Sequence, residues 1–483
     1  QLPEKKFTMK VNGERVPRHV MRCTLEEAHK KFCLESEVSV GFISFTKLRP
    51  PQVRKVGETD RKTCLCQVCC NAKLKSEALQ KYAKSHNCNI AIEVSNTKLA
   101  RLTFCAYETW PGSQCVARNC ASCGPNIYLD NIKSQVNERG AIEFFKWGRK
   151  KIQKGDKSKM VTTCEKYDMA IDQFMEDYAS DLNELGPHLF RADWQHKQQQ
   201  ALLANLPDKE VVLCMDFANS YQCIYAAETQ NAFFDQVPVT IHPMMLYYKI
   251  NHGEASTLVK HTIIGITNQE KDAYSVKIFE GRALARAREE LKLLPTDTMR
   301  VHEFTDGCSS QYKGRYAFYD IATSSPLYDI HRNFYETSHG KSVCDGLGAT
   351  VKYNVGQAVI RAKTVVSDAR SFYDYCINHL TNPFKLVNGE ITRREYFYLD
   401  EITKNRPEIK PLKTRVRDVH SCRKSSDGGF EVRPLTCYMD CCIQGKTPCK
   451  NQAYCGEWNA VSFKLKSGQP DSDVGNRPQL DHQ

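Results

Sequence analysis

The sequence predicts an α/β protein, with a mixed sheet flanked by helices, Cys-rich modules at both ends and a helical insert region between. Three observations carry this expectation. Two apolar runs, 211–215 and 301–305, each end on an aspartate, Asp216 and Asp306. Around and beyond them the apolar period alternates between that of a strand and that of a helix. The cysteines crowd the ends of the chain. Of 23, eleven lie in 23–123 and six in 422–455. An odd count, uneven clustering and a polar start (Gln1, Leu2, Pro3, Glu4, Lys5, Lys6) that does not read as a signal peptide argue against a secreted disulfide scaffold. Zinc in a reducing compartment fits better.

At 483 residues the chain exceeds one ordinary domain. Its net charge is +12 and its pI about 8.7, compatible with a polyanionic partner and equally with solubility alone. No apolar stretch approaches a membrane span, so no membrane partner is expected.

Residues 1–125 read as an N-terminal zinc-binding module. Cys64, Cys66, Cys69 and Cys70 lead into a helical stretch at 71–79, and Gly124 with Pro125 forms a stop. Residues 126–208 read as a helical region for DNA binding or dimerisation. Ile171, Phe174, Met175, Tyr178, Leu182 and Leu185 recur at helical spacing, and Gly186 with Pro187 ends the run. A basic loop precedes it (Arg149, Lys150, Lys151, Lys154, Lys157, Lys159). It is either a solvated loop or a phosphate contact.

Residues 209–385 carry strands at 211–217, 236–249 and 257–266, a helix at 271–294, a strand at 301–305, a helix at 311–322, a strand at 330–336 and a helix from 345. This β-β-β-α-β-α-β-α order is that of the RNase H-like fold, which places its first two carboxylates on neighbouring central strands. Residues 386–465 read as a charged linker and a C-terminal zinc-binding module, and 466–483 as a disordered tail.

Two CxxC knuckles, Cys66/Cys69 and Cys120/Cys123, would together supply four thiolates to one structural Zn2+; Cys64, Cys70, Cys105 and Cys115 could form another site or replace one ligand. At the other end His420, Cys437, Cys442 and Cys449 form a candidate Cys3His set, with Cys422, Cys441 and Cys455 competing.

The carboxylates carry the chemistry. Hard divalent cations take oxygen ligands, and two Mg2+ or Mn2+ ions held by aspartates activate a nucleophile and stabilise a leaving oxygen in phosphodiester exchange. Asp216, Asp306 and Asp345 are the expected catalytic and metal-binding set. Glu336, at the end of the preceding strand, is the rival for the third place. Lys313, Arg315, His339 and Lys341 nearby, with Arg149, Lys150 and Lys151, are candidate DNA-backbone contacts; a surface charge is the alternative for each.

The segments 215–221, 304–313 and 337–346 resemble transposon-derived animal proteins related to DDE-type transposases of the retroviral-integrase superfamily, as do the Cys64–Leu74 segment and the C-terminal Cys cluster. The resemblance implies a nuclear enzyme that cleaves transposon ends and transfers strands into target double-stranded DNA, as a homodimer or higher oligomer. Asp216 and Asp306 match the first two acidic positions, and Asp345 would match the third, as Asp in place of the more usual Glu. Two other readings stand beside it: a domesticated DNA-binding or scaffold protein without catalysis, and a nuclease acting on RNA·DNA hybrids or DNA flaps.

Overall fold

The computed structural model describes residues 8–466, apart from 12–13, 18, 21–24, 37–38, 55–64, 89, 137–139, 156, 253–254, 388–389, 426–428 and 444–448. Cys64 and the expected tail from 467 onward lie outside the described residues. The chain divides into two compact units, residues 1–65 and residues 66–483. The expected boundaries at 125, 208 and 385 all fall within the second unit.

The first unit holds an antiparallel hairpin (Thr8–Val11 with Glu14–Pro17), a short parallel pair (His19–Val20 with Val53–Arg54) and the helices Leu25–Ser36 and Phe42–Leu48. His29 packs between the rings of Phe42 and Phe45.

The second unit is built on a large mixed sheet. Its neighbouring strands, from one edge to the other, are Asn382–Val387, Glu390–Leu399, Ala255–Thr267, Pro238–His252, Val211–Met215, Met299–Thr305, Tyr328–Phe334, Ser421–Lys424, Phe430–Arg433 and Asn459–Ala460. Val211–Met215 runs antiparallel to Pro238–His252 and parallel to Met299–Thr305, which in turn runs parallel to Tyr328–Phe334. The segment expected to form a separate C-terminal module adds strands to both sides of the sheet. Glu390–Leu399 pairs in parallel with Ala255–Thr267, and Ser421–Lys424 pairs antiparallel with Tyr328–Phe334.

The centre of the sheet is covered on both faces, which is why Val211–Met215 is apolar throughout and fully buried. Val211, Leu213 and Met215 pack with Val276, Phe279 and Ala283 of the helix Ala273–Glu290. Val212 and Cys214 face the other way, onto Leu202, Leu206 and Cys344. Charged residues inside the strands are paired across them: Arg332 is 1% exposed and donates to Glu303 and Glu280.

Two features depart from the expected helical region at 126–208. The basic loop is the tip of a long antiparallel ribbon, Ala141–Lys154 paired with Lys157–Ala170. Ile142 and Phe144 bury one side of its base, while Phe145 and Trp147 remain partly exposed. The helix beyond it does not stop at Pro187 but runs from Ile171 to Ala204. Proline removes the N–H that would bond Asn183 O. Arg118 replaces it, donating Nε to Asn183 O at 3.1 Å and Nη2 to Leu182 O at 3.0 Å.

Candidate functional site

Asp216 and Asp306 follow adjacent parallel strands. Cys214 lies opposite Phe304, so the two aspartates, each two residues further on, leave the sheet at one level. Neighbouring strands are about 4.8 Å apart. Asp345 stands in the first turn of the helix Val343–Ile360. That helix comes close because Gly348 lies against Ala218: a β-carbon at 348 would sit 2.6 Å from the Ala218 side chain.

Electrostatics tie the three together. Burial, then the charges of Asp306 and Asp345, push Asp216 up to about 8. Burial also raises Asp306; the backbone N–H of Cys308 works against it and Asp345 adds to it. The counter-charge acting on Asp216 is Lys271, whose ammonium is tied to Ala218 O at 2.6 Å and does not offset the burial. Asp345 has a local task too: its Oδ2 accepts the backbone N–H of Ser342 at 3.0 Å in a capping box. Two half-buried carboxylates close to an exposed third, with no ion pair to Asp216 or Asp306 among the described residues, fit a divalent ion. Their oxygens do not all converge within 4.8 Å as the thiol clusters do. Two ions spaced about 3.5–4 Å apart ask carboxylates to flank both ions, not to touch.

Glu336 stands apart from this group. Its carboxylate accepts from His188 Nδ1 at 2.8 Å, from His420 Nε2 at 2.8 Å, and from Arg191 Nε at 2.8 Å and Nη2 at 3.1 Å.

Three clusters among the described residues bring ligand atoms within 4.8 Å of one another and can hold zinc: Cys66, Cys69, His188 and His339; Cys105, Cys115, Cys120 and Cys123; and Cys437, Cys449 and Cys455. The expected sets are regrouped accordingly. The two CxxC knuckles do not share a site. Cys120 and Cys123 gather with Cys105 and Cys115, and the Cys105 and Cys120 sulfurs are 3.7 Å apart. Cys66 and Cys69 meet two histidines instead. At the C-terminal end Cys442 lies 3.3 Å from Cys449, which lies 3.6 Å from Cys437. Cys455 takes the place expected for His420, because His420 is held between Glu336 and Pro434 O. His188 carries no local sequence signal that marks it as a ligand, whereas Cys455 is among the competitors read from the sequence.

The expected DNA contacts also sort. Lys313 is 7% exposed and donates to Arg417 O at 3.1 Å, so it faces inward. Burial lowers its pKa to about 8. His339 belongs to the Cys66 cluster. Arg315 is half-buried against the Tyr316 ring, and Lys341 is exposed. Arg149, Lys150 and Lys151 are exposed on the ribbon, with Lys150 paired to Glu165 at 2.6 Å. A cavity of about 910 Å3 elsewhere is lined by residues including Arg300, His302, Asp329, Arg423 and Trp458; none of the three aspartates lines it.

Residues 195–435 match a family model described as a domain of unknown function (DUF8701), and residues 1–57 match another (DUF8699). The first match spans Asp216, Asp306, Glu336 and Asp345. No curated protein and no solved structure matches the chain.

Proposed function

We propose that this chain is a DDE-type DNA transposase with an RNase H-like core, which cleaves transposon ends and joins them to target DNA. One observation carries the reading: two aspartates leave adjacent parallel central strands at one level, and a third on a flanking helix acts electrostatically on both. Strand order supports the fold. Counting from Val211–Met215, the five inner strands lie in the order third, second, first, fourth, fifth, and only the second is antiparallel to its neighbours.

Asp216, Asp306 and Asp345 would hold two Mg2+ or Mn2+ ions. Bound there, the ions supply an activated nucleophile and a Lewis acid for the leaving oxygen. The protein's own part is to fix the carboxylates on rigid elements and keep Asp216 and Asp306 partly out of water. The ribbon would carry the DNA backbone: a two-stranded ribbon fits the major groove, and Arg149, Lys150, Lys151 and Lys159 on it are exposed. Double-stranded DNA as partner, a nuclear site of action and assembly as a dimer or larger complex belong to the same reading.

A strand-transfer assay with Mn2+, on DNA carrying the element's own ends, tests it against Asp306→Asn. Joined products that vanish in the variant are expected. The capping role of Asp345 favours a second reading, a DNA-binding protein without catalysis. Tight DNA binding with no cutting by the unaltered chain would establish that reading and reject the first.

A further inference from the structure

We propose that Cys66, Cys69, His188 and His339 bind one zinc ion, and that this ion fastens the loop leading to Asp345. The site stands on its own geometry; its effect on Asp345 rests on the transposase reading.

The four ligands come from places far apart in the sequence. Cys66 and Cys69 sit at the start of the helix Gln67–Ser85, His188 lies within the helix Ile171–Ala204, and His339 lies between the strand Tyr328–Phe334 and the helix Val343–Ile360. Cys66 Sγ is 3.2 Å from His188 Nε2, and Cys69 Sγ is 3.5 Å from His339 Nε2. A tetrahedral zinc with its usual bond lengths sets thiolate sulfur and imidazole nitrogen roughly 3.5 Å apart. Two thiolates and two imidazoles form a soft donor set that takes zinc and rejects magnesium. Four protein ligands close the coordination shell, which marks a structural site.

Glu336 completes the arrangement. His188 donates Nδ1–H to it, which leaves the Nε2 lone pair facing the thiols. A carboxylate behind a metal-bound histidine is the usual way to fix tautomer and ring orientation. Arg191 and His420 hold Glu336 in turn. The rival for the third catalytic carboxylate thus has a defined role in this other site.

The loop from Glu336 to Asp345 is clamped around His339. Its backbone N–H donates to Glu336 O at 2.9 Å, and its carbonyl accepts from His196 Nε2 at 2.9 Å. Ser338 adopts a left-handed φ of 62°, an unfavourable conformation that the surroundings must impose. Gly340 passes against Asp306: a β-carbon at 340 would lie 3.2 Å from the Asp306 β-carbon. The loop therefore touches one carboxylate and leads to another, with His339 as its anchor.

The test uses the full chain. Metal analysis of purified His339→Ala should show about one zinc fewer per chain than the unaltered protein. His339→Cys should restore it, and after cobalt substitution its thiolate charge-transfer absorption should rise while the tetrahedral bands persist. Full zinc retention in His339→Ala would overturn the site. Titration with Mn2+, followed by its electron paramagnetic resonance signal, tests the fastening. His339→Ala should bind Mn2+ about 10-fold more weakly, the size of loss typical when a supporting group of a metal site is removed. Lost zinc with unchanged Mn2+ affinity would overturn the fastening. An unaltered chain that binds no Mn2+ would sink the carboxylate reading, and with it the proposed effect on Asp345, while the zinc count still decides the site.

Discussion

Asp216, half-buried, and Glu336, buried, are carboxylates just beyond the ends of strands in one sheet, yet they behave in opposite ways. Burial pushes both upward. At Asp216 the charges of Asp306 and Asp345 add to it, and the group reaches about 8. At Glu336 the bonds from His188, His420 and Arg191 overcome it and hold the carboxyl far below the usual range. Burial does not separate a poised acid from a structural one; the partners do. Asp216 is acted on chiefly by like charges, whereas Glu336 has its counter-charges in place.

The comparison can be broken in four ways. The largest effect is expected from Asp306→Asn: strand transfer should fall by about 1,000-fold or more in the joining assay while DNA binding persists, because a lost ligand removes a metal-held reaction centre. Glu336→Ala should leave His188, His420 and Arg191 without their shared acceptor. A cost of about 3–5 kcal/mol, read by urea denaturation, is expected from breaking a buried charged cluster. A mild effect there would mean that Glu336 is not structural.

Protonation gives the third test. Asp216 has a folded-state pKa above its ordinary 3.8. The folded chain thus keeps a proton that the unfolded chain releases. Without divalent ions, this group's contribution to stability should fall as pH rises from about 4 to 8, and Asp216→Asn should remove that fall. Mn2+ affinity should move the other way, rising by up to about 10-fold per pH unit below pH 8 if one proton is displaced. Calorimetry across pH 6 to 8 decides it. The smallest effect belongs to the ribbon. Lys151→Ala should weaken DNA binding a few-fold and reduce the slope of log K against log salt by about 1.

The core elements were legible because their signals are local. Apolar runs marked Val211–Met215 and Met299–Thr305, and helical spacing marked Ala273–Glu290. The ribbon was missed because its buried side is confined to the base, at Ile142 and Phe144, while its tip is charged. The continuation through Pro187 depends on Arg118, distant in sequence. The grouping of the metal ligands was missed for a similar reason. CxxC spacing announces ligands but not their companions, and His188 lies 122 residues from Cys66.

The edges of the sheet carry a further consequence. Strands at its centre are made before residue 335, but both flanks wait for residues after 380. During synthesis, Ala255–Thr267 and Tyr328–Phe334 would present unpaired backbone until Glu390–Leu399 and Ser421–Lys424 leave the ribosome. Open edges of this kind recruit other strands, and such long-range closure is slow. A chain cut near 385 should therefore aggregate even though its three aspartates are all present, and folding helpers that shield strand edges should matter most until those flanking strands have emerged.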